Sequence, residues 1–144
     1  MDIRRQTDRA HVYWTQTLSQ LSRNIALKQL ASILDTEEWS YGFLSSIHPV
    51  EKSPLLLRCG PDCARALGIQ GVKPPQLPDR YIDSFKQGCV EACATGIAVR
   101  QEGDLILDDG QRELFRAIFI PVELREETPL VVAFGTFNCK RTQL

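Results

Sequence analysis

Residues 114–122 (Leu-Phe-Arg-Ala-Ile-Phe-Ile-Pro-Val) and 130–137 (Leu-Val-Val-Ala-Phe-Gly-Thr-Phe) are apolar at odd and even positions alike, with only the polar turn Glu-Leu-Arg-Glu-Glu-Thr-Pro between them. A strand with one wet face alternates hydrophobic and polar residues, whereas a strand covered on both faces loses that alternation. The two segments therefore predict neighbouring strands in a sheet that is covered twice. Along the first, Phe115, Ala117 and Phe119 share one face and Arg116, Ile118 and Ile120 the other. Each buried Ile is worth about 1.5–3 kcal/mol, so both rows need a layer packed on them. The rest of the chain has to supply those layers.

At 144 residues the chain fits one domain with a core of its own. A formal charge of −1 gives no electrostatic ground for nucleic acid as a partner. No apolar run approaches the roughly 20 residues that span a bilayer, and the Met-Asp-Ile-Arg-Arg start lacks the apolar core of a secretory signal. Cytoplasmic location, with no membrane contact, is the resulting expectation.

From 8 to 34 the sequence has no Pro or Gly, and Trp14, Leu18, Leu21, Ile25, Leu30, Ile33 and Leu34 recur mostly at helical steps. This predicts a long N-terminal amphipathic helix, with Thr7 or Asp8 as its cap. It either packs on its own sheet or pairs with its copy in a second chain. The aromatic-rich 39–48 and the run 55–59 predict a hairpin, and 62–67 a short helix stopped by Gly68. Residues 71–79 carry Pro74, Pro75 and Pro78 and predict irregular structure. A helix follows over 81–94 with Tyr81, Phe85 and Cys89 on one face, closed at Thr95-Gly96. A third strand is expected from 97–100 and 105–107, interrupted at Glu102-Gly103-Asp104, before a turn at Asp108-Asp109-Gly110.

Five cysteines remain to be explained. Cys59 and Cys63 are four apart, as are Cys89 and Cys93, and Cys139 stands alone. The odd count and the absence of a signal peptide argue against a disulfide framework. The spacing suits a tetrahedral zinc site of Cys59, Cys63, Cys89 and Cys93, or a thiol redox pair. Cys89 and Cys93, however, share a face of a helix-like stretch, so the expected role is that of reduced cysteines acting as small buried hydrophobes.

The order of these pieces resembles the PAS superfamily. The matching stretches are Leu-Leu-Leu-Arg-Cys-Gly-Pro-Asp-Cys-Ala-Arg-Ala-Leu-Gly at 55–68, Ala-Thr-Gly-Ile-Ala-Val at 94–99, the Asp-Gly turn at 109–110 and Ile-Pro-Val at 120–122. They span residues 39–138, and the chain looks most like short bacterial proteins made of little besides this domain. The resemblance implies an α+β fold: a five-stranded antiparallel sheet with short helices on one face and a long N-terminal helix. It divides the chain into a flanking or dimerisation helix at 1–35, the domain at 36–139 and a polar tail at 140–144. It implies an interior ligand pocket, for which Leu57, Phe85, Cys89, Phe115, Ala117 and Phe119 are the candidate lining. It also implies an outer interaction surface, here Trp14, Leu18, Leu21, Ile25, Ile118 and Ile120. The expected activity is sensing or adaptor work in signal transduction, as a homodimer whose output is a separate signalling protein.

No cofactor is evident in the sequence. Neither His11 nor His48 lies on a pocket helix where haem ligation would need it, and Cys89 or Cys93 would offer thiolate ligation by position alone. The Asn138-Cys139-Lys140 stretch is placed at a strand end, unlike the pocket-helix cysteine of flavin-adduct PAS proteins. A non-covalent flavin or another apolar ligand leaves few sequence marks. The chain has no phosphate-binding Gly-rich loop, no H-E-x-x-H and no G-x-S-x-G. The paired acids Asp108-Asp109 and Glu126-Glu127 sit in polar turns, so the expectation is a protein that is not an enzyme.

Overall fold

The two doubly apolar segments lie within the two longest strands among the described residues, the first in mid-strand and the second at a strand's start. In the computed structural model, which describes residues 24–25, 39–47, 51–124 and 130–142, the order is β1 (Asn24–Ile25), β2 (Gly42–Ile47), β3 (Pro54–Cys59), α1 (Pro61–Leu67), α2 (Asp79–Thr95), β4 (Val99–Ile106), β5 (Arg112–Leu124) and β6 (Leu130–Thr142). β5 and β6 pair antiparallel in continuous register from Arg112↔Thr142 to Leu124↔Leu130. Around them five strands make one antiparallel sheet in the order β3-β2-β6-β5-β4, and β1 adds two residues parallel to the end of β5. With two helices on the sheet among the described residues, the class is α+β.

Both faces of the central strands are buried. On one, Phe43, Phe115, Ala117, Phe119, Ala133 and Phe137 form a single core with Leu67 of α1 and Tyr81, Phe85, Cys89 and Ala92 of α2. On the other, Leu44, Ile118, Ile120, Val122, Val132, Phe134 and Thr136 are at most 2% exposed. Trp39 packs edge-on against Phe134 there, with ring centroids 5.7 Å apart. The helix expected at 8–34 to seal this second face lies outside the described residues, apart from Asn24–Ile25. At those two residues the chain is extended, and it pairs with Glu123 and Leu124. An unbroken helix through 8–34 is therefore corrected at that point, because the backbone there is paired to a neighbouring strand.

Local chemistry accounts for the element ends. α1 begins after Gly60 with Pro61 in its first turn, where a missing N–H costs nothing, and stops at Gly68 with φ 76°. Gly60 donates its backbone N–H to the Gly42 carbonyl at 2.8 Å, which ties the start of α1 to β2. α2 carries Gly88 in mid-helix because a β-carbon there would lie 2.4 Å from the Phe119 ring, so the glycine lets the helix settle onto β5. The expected interruption of the third strand does not occur: β4 is continuous through Gly103. Gly103 sits opposite Phe115 in the register, and a β-carbon would come 2.9 Å from that ring. The residue that reads as a breaker is where the ring needs room. β6 runs through Thr142, so Lys140 and Arg141, at the start of the stretch expected as a tail, are paired in the sheet.

Candidate functional site

The candidate pocket residues converge, and what they build is a packed interior. Phe85, Cys89, Phe115, Ala117 and Phe119 are all in the core between sheet and helices. Phe43, Tyr81 and Phe137 join them, with ring centroids 4.9 Å apart for Phe43–Phe85, 5.2 Å for Phe85–Phe119 and 4.8 Å for Tyr81–Phe137. Six aromatic rings thus occupy the space in which a ligand was expected. Leu57 is not among them: it is 37% exposed, and its neighbour Leu56 turns inward instead. β3 is a short edge strand, and its pairing with β2 passes from Leu44↔Arg58 to Ser45↔Leu56, so Leu57 is the extra residue of a bulge that resets which residues face the core.

The proposed interaction residues are placed differently from one another. Ile118 and Ile120 are fully buried within the chain. Trp14, Leu18 and Leu21 lie outside the described residues, as do His11 and His48, and Ile25 is described only as backbone paired to β5.

The four cysteines considered for zinc do not meet. Among the described residues no three His, Cys, Asp or Glu side chains are grouped as a metal would require. Cys59 ends β3 and Cys63 lies in the first turn of α1, whereas Cys89 points from α2 into the aromatic core. Burial pushes the Cys89 thiol up to about 11, against a smaller opposing hydrogen bond with Ser45. Burial raises Cys93 as well. Cys59 and Cys63 are hydrogen-bonded to each other, and that bond holds Cys59 below its ordinary value while it and burial push Cys63 well above. All five cysteines are free thiols.

The polar centre of the molecule is a residue the sequence reading passed over. Glu113, on β5, is 0% exposed on the core-facing side of the sheet. It accepts hydrogen bonds from the Tyr81 hydroxyl at 2.5 Å, from Arg80 Nε at 3.1 Å and from Arg141 Nε at 3.0 Å. Cys139 Sγ is 3.6 Å from the same carboxylate and 3.3 Å from the Ala66 carbonyl. Three elements build the cluster. α2 supplies Arg80 and Tyr81 from its first turn, β5 supplies Glu113, and β6 supplies Arg141 as the direct cross-strand partner of Glu113. Burial alone would raise the Glu113 carboxyl, but the Tyr81, Arg141 and Arg80 bonds outweigh it and hold the group below its usual range. Burial, reinforced by the facing carboxylate, pushes Cys139 up to about 12 and raises Tyr81 further still, so both stay protonated at neutral pH. A buried carboxylate is tolerable only when its charge and lone pairs are answered, and here each oxygen receives a guanidinium.

A cleft of about 670 Å³ opens beside this cluster, lined by Asp79, Arg80, Leu105, Ile106, Leu107, Asp108, Asp109 and Arg141. The pair of arginines fixed on Glu113 lines one part of it, and the aspartates at the start of α2 and on the β4–β5 turn line the rim. The turn is closed by Leu107 N–H on the Gln111 carbonyl at 2.8 Å and by Gly110, with φ 83°. A signal for this site was present in strand parity. The face that carries Phe115, Ala117 and Phe119 includes Glu113 when extended two residues back, and the face of Phe137 and Cys139 includes Arg141 when extended forward. The arrangement can hold an anion or staple three elements together.

Among the described residues no helix is long and apolar enough to cross a membrane. Compared with known proteins, the sequence matches no protein-family model and no curated protein.

Proposed function

We propose that the chain is a cytoplasmic PAS-type module that serves signal transduction by protein contact, as a homodimer that hands its output to a separate signalling protein. The observation that supports this reading is the α+β layout itself: five antiparallel strands with α1 and α2 on one face. An interior filled by the rings of Phe43, Tyr81, Phe85, Phe115, Phe119 and Phe137 favours contact over an enclosed cofactor. Light scattering of the full chain at micromolar concentration tests the dimer, and a monomeric mass removes it. An absorbance spectrum of freshly purified protein tests the contact-only mode, since a haem or flavin band would replace it with cofactor-based sensing.

A second reading, of a redox-linked thiol module, is favoured by the hydrogen-bonded Cys59–Cys63 pair. Treatment with oxidised glutathione followed by thiol titration separates the two. Loss of two thiols with no added mass supports the redox module, and an unchanged thiol count supports the contact module.

A further inference from the structure

We propose that the cleft between the first turn of α2 and the β4–β5 turn binds a small zwitterion of the amino-acid class, with its carboxylate on Arg80 and Arg141 and its ammonium on the aspartates of the rim. None of the six interior rings lines the cleft, and its arginines lie on the core-facing side of the sheet rather than on the second face, so it stands whether or not that second face docks a protein partner.

The argument begins with how the two arginines are held. A guanidinium has five N–H donors in a planar fork. Glu113 takes only the Nε of each, Arg80 on one carboxylate oxygen and Arg141 on the other. Arg80 spends one further nitrogen on the Leu67 carbonyl, at 3.4 Å. The remaining nitrogen of Arg80 and both terminal nitrogens of Arg141 meet no acceptor among the described residues. Both guanidiniums are held on the one Glu113 carboxylate, and Asp109 of the same lining also acts on Arg141, so positive and negative groups share the cleft. The second, half-exposed arginine adds an unspent donor edge, and it lies in the lining of the cleft.

The arms are also preorganised. Glu113 is fully buried and its bonds fix both Nε groups, so little side-chain entropy is left to lose when an oxyanion arrives. The rim then selects among anions. Asp79 and Asp108 line the same cleft and accept no hydrogen bond from a described residue, while Asp109 is engaged by the Gln111 N–H at 3.0 Å. Carboxylates at this position repel a ligand with several negative charges, such as a polyphosphate, and attract an ammonium. Leu105 and Leu107 supply an apolar surface for the remainder of the ligand. A single carboxylate, a nearby ammonium and a small organic body describe an amino acid.

Isothermal titration of the full-length protein with each of the twenty standard amino acids, and with acetate, methylammonium and inorganic phosphate, tests the assignment. At least one amino acid is expected to bind with Kd below about 1 mM, and acetate and methylammonium alone at least about tenfold more weakly. Arg141→Met is expected to weaken that binding about tenfold or more. Asp108→Asn, on the exposed turn and away from the core, is expected to weaken it about threefold or more while the circular dichroism spectrum stays unchanged. The proposal is overturned if no amino acid binds, if acetate or phosphate binds as tightly as the best amino acid, or if Asp108→Asn leaves the affinity unaltered.

Discussion

Replacing Tyr81 by Phe removes one hydroxyl and nothing else, which makes it a clean measure of how the Glu113 cluster holds the fold. The ring contacts to Phe115 and Phe137, at 5.2 and 4.8 Å between centroids, are kept. What is lost is the 2.5 Å bond to a carboxylate with no exposed surface, leaving that charge with the two guanidinium Nε donors and a distant thiol. A hydrogen bond to a charged group contributes about 1.5–3 kcal/mol net, and the vacated site is too enclosed for bulk water to restore it, so a loss of that size is expected at pH 7. The pH dependence carries the sharper information. Burial opposes ionisation of Glu113, yet its bonds hold the native carboxyl below its ordinary value. Its contribution is therefore complete above the unfolded pKa of about 4.3 and drains away as pH falls through the lower native pKa. With Tyr81 gone the native pKa moves up toward the unfolded one, so the variant has less of this contribution to lose. Urea unfolding followed by tryptophan fluorescence at pH 7 and near pH 3 measures both effects. The difference between wild type and variant should be largest at pH 7 and shrink in acid. A loss under about 0.5 kcal/mol at pH 7, or one that is the same at both pH values, would refute the idea that Glu113 is a stabilised anion.

Gly88→Ala is expected to destabilise by about 1–3 kcal/mol, against roughly 1 kcal/mol gained in helix propensity, because the new methyl lands 2.4 Å from a Phe119 ring with no exposed surface; a raised thermal midpoint would contradict this. Under limiting Ellman's reagent at pH 7.5, Cys59 should react first, since its thiol is lowered and partly accessible, while Cys63, Cys89 and Cys139 are raised and react slowly. Mass spectrometry of the singly labelled protein identifies the site. Ile118→Asp places a charge on the fully buried second face and should cost 3 kcal/mol or more, about the cost of an uncompensated buried charge, whereas Leu55→Asp, at a position 39% exposed, should change the urea midpoint little. Equal tolerance at the two positions would mean that the second face is not sealed.

Several elements are legible in the residues because local chemistry sets them. Pro61 and Gly68 bracket α1, Gly96 with φ 71° closes α2, and Gly110 turns the chain from β4 into β5. The breakdown comes where a neighbour decides. Gly103 reads as a break in a strand, but it is the cross-strand seat of Phe115. Leu57 and Leu56 are interchangeable in composition, and only the bulge in β3 itself, where the pairing with β2 skips Leu57, determines which one is inside. Asn24 and Ile25 sit in a helix-period pattern and are extended because β5 offers them a partner.

The functional cluster shows the same division. Strand parity places Glu113 on the core-facing side with Phe115 and puts Arg141 in phase with Phe137 and Cys139. Parity cannot say that a carboxylate so placed is tolerable, because that depends on the guanidiniums and the hydroxyl that reach it. Arg80 and Tyr81 are more than 30 residues away along the chain, and arrive only when α2 lies down across the sheet. Side-chain periodicity, turn residues and the double apolar runs are properties of the chain taken a few residues at a time, so they determine strands, helices and a sheet buried on both faces. Which charges end up together in the dry interior, and which of their donors remain turned toward a cleft, is set by packing between distant segments, where the energy of a buried ion depends on every neighbour at once.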